Sequence, residues 1–250
     1  MTIKFGLKLW SINTDLINKA VQLIDEKTFD YIELLVVPDT NIDPFKIDVP
    51  YVVHIPHHKF GVNIGESRLR KYNLEKIYES ISWADKLNAK YLILHAGHGS
   101  IKSAANILGE VMDNRLLVEN MPKVGLNGEK MIGYSLEQIK ELININNIGL
   151  CLDLEHTAKA TVSLGLEYKG YINMFLEFHP KIFHISDGTL KCENDEHLNI
   201  GEGDLDFGYL LKCIRRNHSR LTTIETPRTE QGSLYSDILN VKLLKDHAPF

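Results

Sequence analysis

Residues 148–160 read IGLCLDLEHTAKA, and the fold turns on how this stretch is read. An apolar, β-rich run, Ile148–Leu152, ends at Asp153, and a helical composition starts at once. Asp153 and His156 stand three residues apart across this strand-to-helix turn, so both can face one centre. A helix cap formed by Asp153 is the competing reading, and it has no need of His156. Glu155, between the two, is expected to point away.

On either side of this stretch the same punctuation recurs. VVHIPHHKFGVN (52–63) brings His54, His57 and His58 to the end of an apolar run; alternation sends successive strand residues to opposite faces, so not all three can share a site. LILHAGHG (92–99) ends in His95, with His98 in a glycine-rich loop. LLVENMP (116–122) ends at Glu119, for which a salt bridge to Arg115 is the structural alternative to a metal. KIFHISDGT (181–189) offers His184, with Asp187 placed to orient a neighbouring imidazole. In ENDEHLNIGEGDLDF (193–207), Asp195 and His197 point the same way if the segment is extended; alone it is only a polar loop. TTIETP (222–227) repeats at Glu225 the pattern of Glu119. Asp, Glu and His are the oxygen and nitrogen donors of zinc and related divalent ions. Their conjunction at successive strand ends reads as a metalloenzyme whose metal donors are His57, His95, Glu119, Asp153, His156, His184, Asp195, His197 and Glu225. Nine donors exceed the four or so protein ligands of a single zinc site, so two or three ions sharing bridging carboxylates are expected.

The candidate strands are Ile3–Leu9, Tyr31–Val36, Tyr51–Ile55, Lys90–Leu94, Arg115–Val118, Ile148–Leu152, Lys181–Phe183 and Leu221–Ile224. Helical periodicity separates most of them: Ile17, Val21 and Ile24; Leu74, Ile77, Ile81 and Leu87; Leu136, Ile139 and Ile143 after a Ser135 N-cap; Leu210, Leu211 and Ile214; and Ile238 in a last helix. The connection from Val37 to Pro50 is too short and proline-rich for a full helix. Eight strands alternating with helices over 250 residues predict an α/β fold, a single-domain (β/α)8 TIM barrel spanning 1–250. An open doubly wound sheet is the rival, but it would spread these strand ends apart, whereas a closed ring gathers them around one axis.

Bulk properties agree. The net charge of -5 argues against a generally basic nucleic-acid coat without excluding a local basic cleft. Cys151, Cys192 and Cys213 form no CxxC pair, which suggests a reducing compartment. MTIKFGLKLW lacks the apolar stretch of a signal peptide, and no run reaches membrane-spanning length, so a cytoplasmic protein with no membrane partner is expected.

These motifs together resemble the endonuclease IV-type members (AP endonuclease family 2) of the xylose-isomerase-like TIM barrels, from first strand to last. PHHKFGVN resembles the family's third-strand motif and marks His57 rather than His54 as the ligand; HAGHG, VEN, LDLEH, HISD, the D-E-H before GEG, and IETP supply the others. The resemblance implies up to three zinc ions: Glu119 bridging two, His57 and His95 completing one, Asp153, His184 and Glu225 the other, and His156, Asp195 and His197 holding the third. It implies a DNA-repair nuclease that hydrolyses the phosphodiester 5′ to an abasic site, with Glu119 and Glu225 as catalytic residues. Phe60 sits where an aromatic wedge for DNA is expected, and Lys59 and Arg228 are candidate substrate contacts; Arg68, Arg70 and Lys71 are candidate phosphate contacts with a solvated helix start as the alternative. VVPDTNIDPF (36–45) lacks an arginine-bearing recognition segment, and the segment between His95 and Glu119 is short. The alternative is a sugar isomerase or epimerase of the same superfamily, with one divalent ion (Mn or Mg) on Glu119, Asp153, His184 and Glu225 and a small sugar as substrate. His57, His95, Asp195 and His197 discriminate the two readings.

Overall fold

The computed structural model describes residues 2–247. Its eight strands are β1 (Lys4–Trp10), β2 (Tyr31–Leu35), β3 (Tyr51–His54), β4 (Leu92–His95), β5 (Leu116–Glu119), β6 (Gly149–Asp153), β7 (Ile182–Ile185) and β8 (Leu221–Ile224). They close in sequence order, and every pair, including β1 with β8, is parallel. The expected TIM barrel is therefore the observed fold, with strand bounds shifted by a residue or two; in β4, β5 and β6 the last strand residue is itself a candidate ligand.

Alternation along each strand builds two cores. Leu7, Leu9, Ile32, Leu34, Val53, Leu92, Leu94, Val118, Leu150, Leu152, Phe183 and Ile185 face outward and pack under the helices. Tyr31, Val52, Ile93, Leu117, Cys151 and Ile182 face inward and fill the barrel. Each fully buried aliphatic side chain contributes roughly 1.5–3 kcal/mol by leaving water. Tyr31 is the floor of the barrel: a Cβ on Gly6 would sit 2.3 Å from its ring, so only glycine leaves space there. The Tyr31 hydroxyl meets Thr223 Oγ1 at 2.9 Å, and that hydroxyl donates to Glu33 Oε2 at 2.5 Å. Two residues further along each of these strands, the inward positions turn ionisable: Glu33, His54, His95, Glu119, Asp153 and His184.

The helices are α1 (Ile17–Asp25), α2 (Arg70–Lys86), α3 (Ile101–Glu110), α4 (Leu136–Ile143), α5 (Leu154–Leu164), α6 (Tyr168–Leu176), α7 (Phe207–Arg216) and α8 (Tyr235–Asp246). As the short proline-containing connection implies, β2 and β3 are joined without an α-helix; a 3-10 turn at Asp43–Phe45 buries Phe45 against Trp83 instead. Two helices, α5 and α6, stand between β6 and β7. Ser135 caps α4 as expected, accepting from Gln138 N; the Gln138 side chain accepts from Gly133 N rather than closing back on the cap residue. No described helix is long and apolar enough to cross a membrane.

Candidate metal centre

Parallel strands ending in register bring one ionisable side chain from every strand to the C-terminal mouth of the barrel. Lys8, Glu33, His54, His95, Glu119, Asp153, His184 and Glu225 come from β1 to β8 in turn, Glu225 standing one residue past β8. Glu119 is the hub and is fully buried. Its Oε2 lies 3.3 Å from both His54 Nε2 and His95 Nε2. Its Oε1 lies 3.3 Å from His184 Nδ1 and 3.4 Å from His156 Nδ1. Two oxygens facing separate donor sets is the arrangement a bridging carboxylate needs. Arg115 does not pair with Glu119: it binds Asp113 and Asp85 on the surface, because strand direction carries Glu119 to the opposite end of β5.

Hydrogen bonds around the hub fix which atom each imidazole turns inward. His184 Nε2 donates to Glu33 Oε2 at 3.0 Å, leaving Nδ1 directed at Glu119 and, at 3.1 Å, at Glu225 Oε2. His54 Nδ1 donates to the Ile55 carbonyl at 2.8 Å, leaving Nε2 toward Glu119. His156 Nδ1 donates to the Asn120 carbonyl at 2.9 Å, leaving Nε2 to face Asp195 Oδ2 at 3.5 Å. A carbonyl or carboxylate that orients the far nitrogen of a metal-binding histidine is the usual outer support of such sites. Asp153 serves both readings at once: Oδ1 accepts from His156 N at 2.7 Å and caps α5, while Oδ2 has no partner. Asn120 locks β5 to β6 by bonding Asp153 N, Asp153 O and the Thr157 hydroxyl.

Asp195 and His197 reach the centre by a different route from the one alternation suggests. His197 has φ +48, in the left-handed region that few non-glycine residues adopt, so residues 195–197 are irregular rather than extended. The His197 ring is held by Asp195 on one side and faces Glu225 Oε2 at 3.4 Å on the other. Asp187 does not orient an imidazole. Its carboxylate accepts from the backbone N–H of Gly188, Gly201, Gly203 and Leu205, anchoring the loop that carries Asp195 and His197. Glu155 does not point away either: it is fully buried at the edge of the cluster.

The remaining candidates lie around the rim. His57 is stacked on His95 with centroids 5.2 Å apart, and its Nδ1 accepts from Lys59 N at 3.4 Å, so it stands beside the hub while His54 stands in it. His98 is tied to Asn63 outside the cluster. Phe60 packs edge-on to Trp10 and against His57. Lys59 is exposed at the rim of the mouth. Arg228 is engaged with Asp237 at 2.8 and 2.9 Å and with the Lys8 carbonyl. Arg68 and Arg70 pair with Glu66 and Glu110 at the surface.

Sequence reasoning did not reach Lys8 and Glu33, and it set His54 aside in favour of His57. The Lys8 ammonium bridges Glu33, at 2.6 Å, and Glu225. The signal was present: Glu33 interrupts the run YIELL, and a charge inside a strand buried on both faces must have a partner.

The electrostatics are those of a cluster rich in acids. Burial alone would raise the Glu33 carboxyl, but His184 and Lys8 outweigh it and hold it down at about 2. Burial raises Asp153, which lacks a dedicated cation. Burial opposes a proton on His156, yet Asp153 and Asp195 lift it to about 10. His95, with burial dominant, falls to about 4. Buried Glu119 Oε1, Asp153 Oδ2, His156 Nε2 and His184 Nδ1 have no hydrogen-bond partner. Orphaned donors of this kind, converging on common points, fit divalent cations better than they fit one another. Groups of donor atoms within 4.8 Å of one another form around Glu119, Asp153, His184 and Glu225, around His54, His95 and Glu119, and around Glu155, His156, Asp195 and His197. Above them opens a cavity of about 470 Å³, lined among others by Trp10, His58, Lys59, Met121 and Thr226. A larger cleft of about 650 Å³ beside α8, lined by Tyr235, Leu239 and Leu243, contains no histidine.

A protein of Mycoplasmopsis synoviae named "Probable endonuclease 4" is 26% identical over 230 residues, covering 83% of this chain and 80% of its own length. The Methanocaldococcus jannaschii protein MJ1614, described as uncharacterized, is 24% identical over 80% of this chain and 82% of its own. Among solved structures, a D-tagatose 3-epimerase-like protein aligns over 98% of this chain and 97% of its own at TM-score 0.76 and 19% identity. Endonuclease IV from Thermus thermophilus aligns over 98% of both chains at TM-score 0.73 and 19% identity. Residues 41–241 match the family described as Xylose isomerase-like TIM barrel, and the chain belongs to that family.

Proposed function

We propose that the protein is a multinuclear metal-dependent phosphodiester hydrolase of the endonuclease IV type, acting on DNA at abasic sites. The observation that carries this reading is the second donor group. His156, Asp195 and His197 gather beside the Glu119 hub rather than on the outer surface, and Glu225 Oε2 joins the two groups through His197. A one-ion isomerase has no use for that extra set. The relatives named "Probable endonuclease 4" support the same assignment.

Zinc or a similar ion bound at these donors would supply an activated water and neutralise charge on a transferring phosphoryl group. The chain's own residues do the rest. Glu119 would hold two cations at a fixed spacing through its separate oxygens. Glu33 keeps the His184 ring turned so that Nδ1 faces inward, and Lys8 holds the outer oxygen of Glu225 while Oε2 faces the centre. Lys59 at the rim would meet a phosphate, and Phe60 with Trp10 forms the aromatic wall beside which an extruded nucleotide would lie.

The sugar isomerase or epimerase reading stays second. The quartet Glu119, Asp153, His184 and Glu225 is complete for one ion, and the β2–β3 connection carries no recognition helix. A duplex oligonucleotide carrying one abasic-site analogue, assayed beside ketose and aldose substrates, separates the two. The hydrolase reading expects strand cleavage, and Asp195→Ala or His197→Ala should lower it by at least about 100-fold. Sugar interconversion that survives both substitutions, with no cleavage of the oligonucleotide, would overturn it.

A further inference from the structure

The donor group beside the hub contains a residue that neither the motif nor the strand pattern assigns. One oxygen of Glu155 lies within 4.8 Å of a nitrogen of His156, a nitrogen of His197 and an oxygen of Asp195. Glu155 is fully buried. Its Oε1 accepts from Glu196 N at 3.3 Å, and its Oε2 has no partner at all. The bland explanation is a buried ion pair with Lys159, but the three N–H donors of that ammonium are taken. They go to the Thr189 carbonyl at 2.8 Å, the Cys192 carbonyl at 3.2 Å and the Glu196 carboxylate. Glu155 is left at 3.7 Å from Lys159, beyond hydrogen-bond reach. The fold also makes space for it: a Cβ on Gly188 would stand 2.7 Å from Glu155 Oε1 and 3.1 Å from its Cγ.

We propose that Glu155 is the fourth protein donor of a cation site completed by His156, Asp195 and His197. The inference rests on the multinuclear reading above and adds to it. Two imidazoles and two carboxylates make a full tetrahedral set for a zinc-sized ion. Bound there, the ion would tie the loop carrying Asp195 and His197 to the start of α5, beside the ions around Glu119.

The test is a count of bound zinc on the full-length protein, stripped with chelator, reloaded and dialysed, together with competition against a chromophoric chelator. Glu155→Gln keeps the acceptor for Glu196 N but removes the charge, and it should lose one ion per chain or weaken one site at least about 10-fold. Gly188→Ala, which crowds the Glu155 carboxylate without replacing any donor residue, should weaken the same site. Lys159→Met should leave the ion count unchanged. If circular dichroism shows Glu155→Gln unfolded, Gly188→Ala and Lys159→Met alone decide. A wild-type count of two or three that Glu155→Gln and Gly188→Ala leave intact overturns this inference alone. A wild-type count of one or fewer overturns the multinuclear reading with it.

Discussion

Lys8 places a fixed cation deep in a mouth that also holds Glu33, Glu119, Asp153, Asp195 and Glu225, and its ammonium lies between two of those acids. Burial works against its charge, but Glu225 and Glu33 hold the ammonium protonated well above the ordinary lysine range. Removing one member of a buried, paired set leaves the other charges uncompensated. Lys8→Met should therefore destabilise the metal-free protein by roughly 3–5 kcal/mol in urea unfolding, and added zinc should recover part of the loss. A change below about 1 kcal/mol would mean that water already screens Glu33 and Glu225. At this scale the sequence was informative where a side chain of the mouth ends a motif and uninformative where it stands alone in a strand. Glu119, Asp153 and Glu225 each follow an apolar run that ends at them. His54 and Glu33 lie within such runs, and inward or outward orientation there depends on strand register, which composition does not give. Glu155 was misjudged because helix phase alone turns it from Asp153; its burial comes from Gly188 and the loop around Glu196 folding over it.

At the β6–α5 junction one carboxylate caps a helix and keeps an oxygen free for a cation. Asp153 Oδ1 caps the helix and Oδ2 is free, so the two roles are separable by substitution. Asp153→Asn keeps a cap acceptor and relieves a buried acid that burial already pushes toward its neutral form. The metal-free Asn variant should be at least as stable as the parent, while Asp153→Ala should lose about 1 kcal/mol from the missing cap. Both should bind metal more weakly. Unfolding curves in chelator beside zinc titrations would check this, and an Asn variant with full affinity would confine Asp153 to its cap. The eight strands and five of the helices were legible because aliphatic runs and 3.6-residue periodicity are local signals. Less visible were α3, α5 and α6. Five of the first eight residues of α5, Glu155, His156, Thr157, Lys159 and Thr161, are polar yet buried, so no amphipathic stripe marks them. The irregular backbone that presents His197 was not legible, since a left-handed residue without glycine leaves no mark in composition.

Across the whole barrel, the acids of the mouth attract either protons or cations, and pH decides between them. His156 is raised from 6.5 to about 10, so without metal its proton stabilises the fold fully below pH 6.5. That contribution is lost as pH rises through about 10. A cation displaces the same proton, so zinc affinity should rise with pH over this window. The gap in melting temperature between metal-loaded and chelated protein should widen with it. Scanning fluorimetry from about pH 6.5 to about 9.5 would show the trend, and a gap independent of pH would mean that His156 is no ligand. The closed ring was legible as a whole because only a ring gathers so many strand ends, whereas the inner layering that supports the site was not. That layering ties the two ends of the molecule together. Tyr31 reaches Thr223, Thr223 reaches Glu33, and Glu33 steers His184. Gly6→Ala, deep in the base and remote from any metal donor, must displace the Tyr31 ring and so should loosen zinc binding and lower turnover. A mutational survey confined to the residues around the cavity would overlook this dependence, because the foundation on which the chemistry stands begins two layers below it.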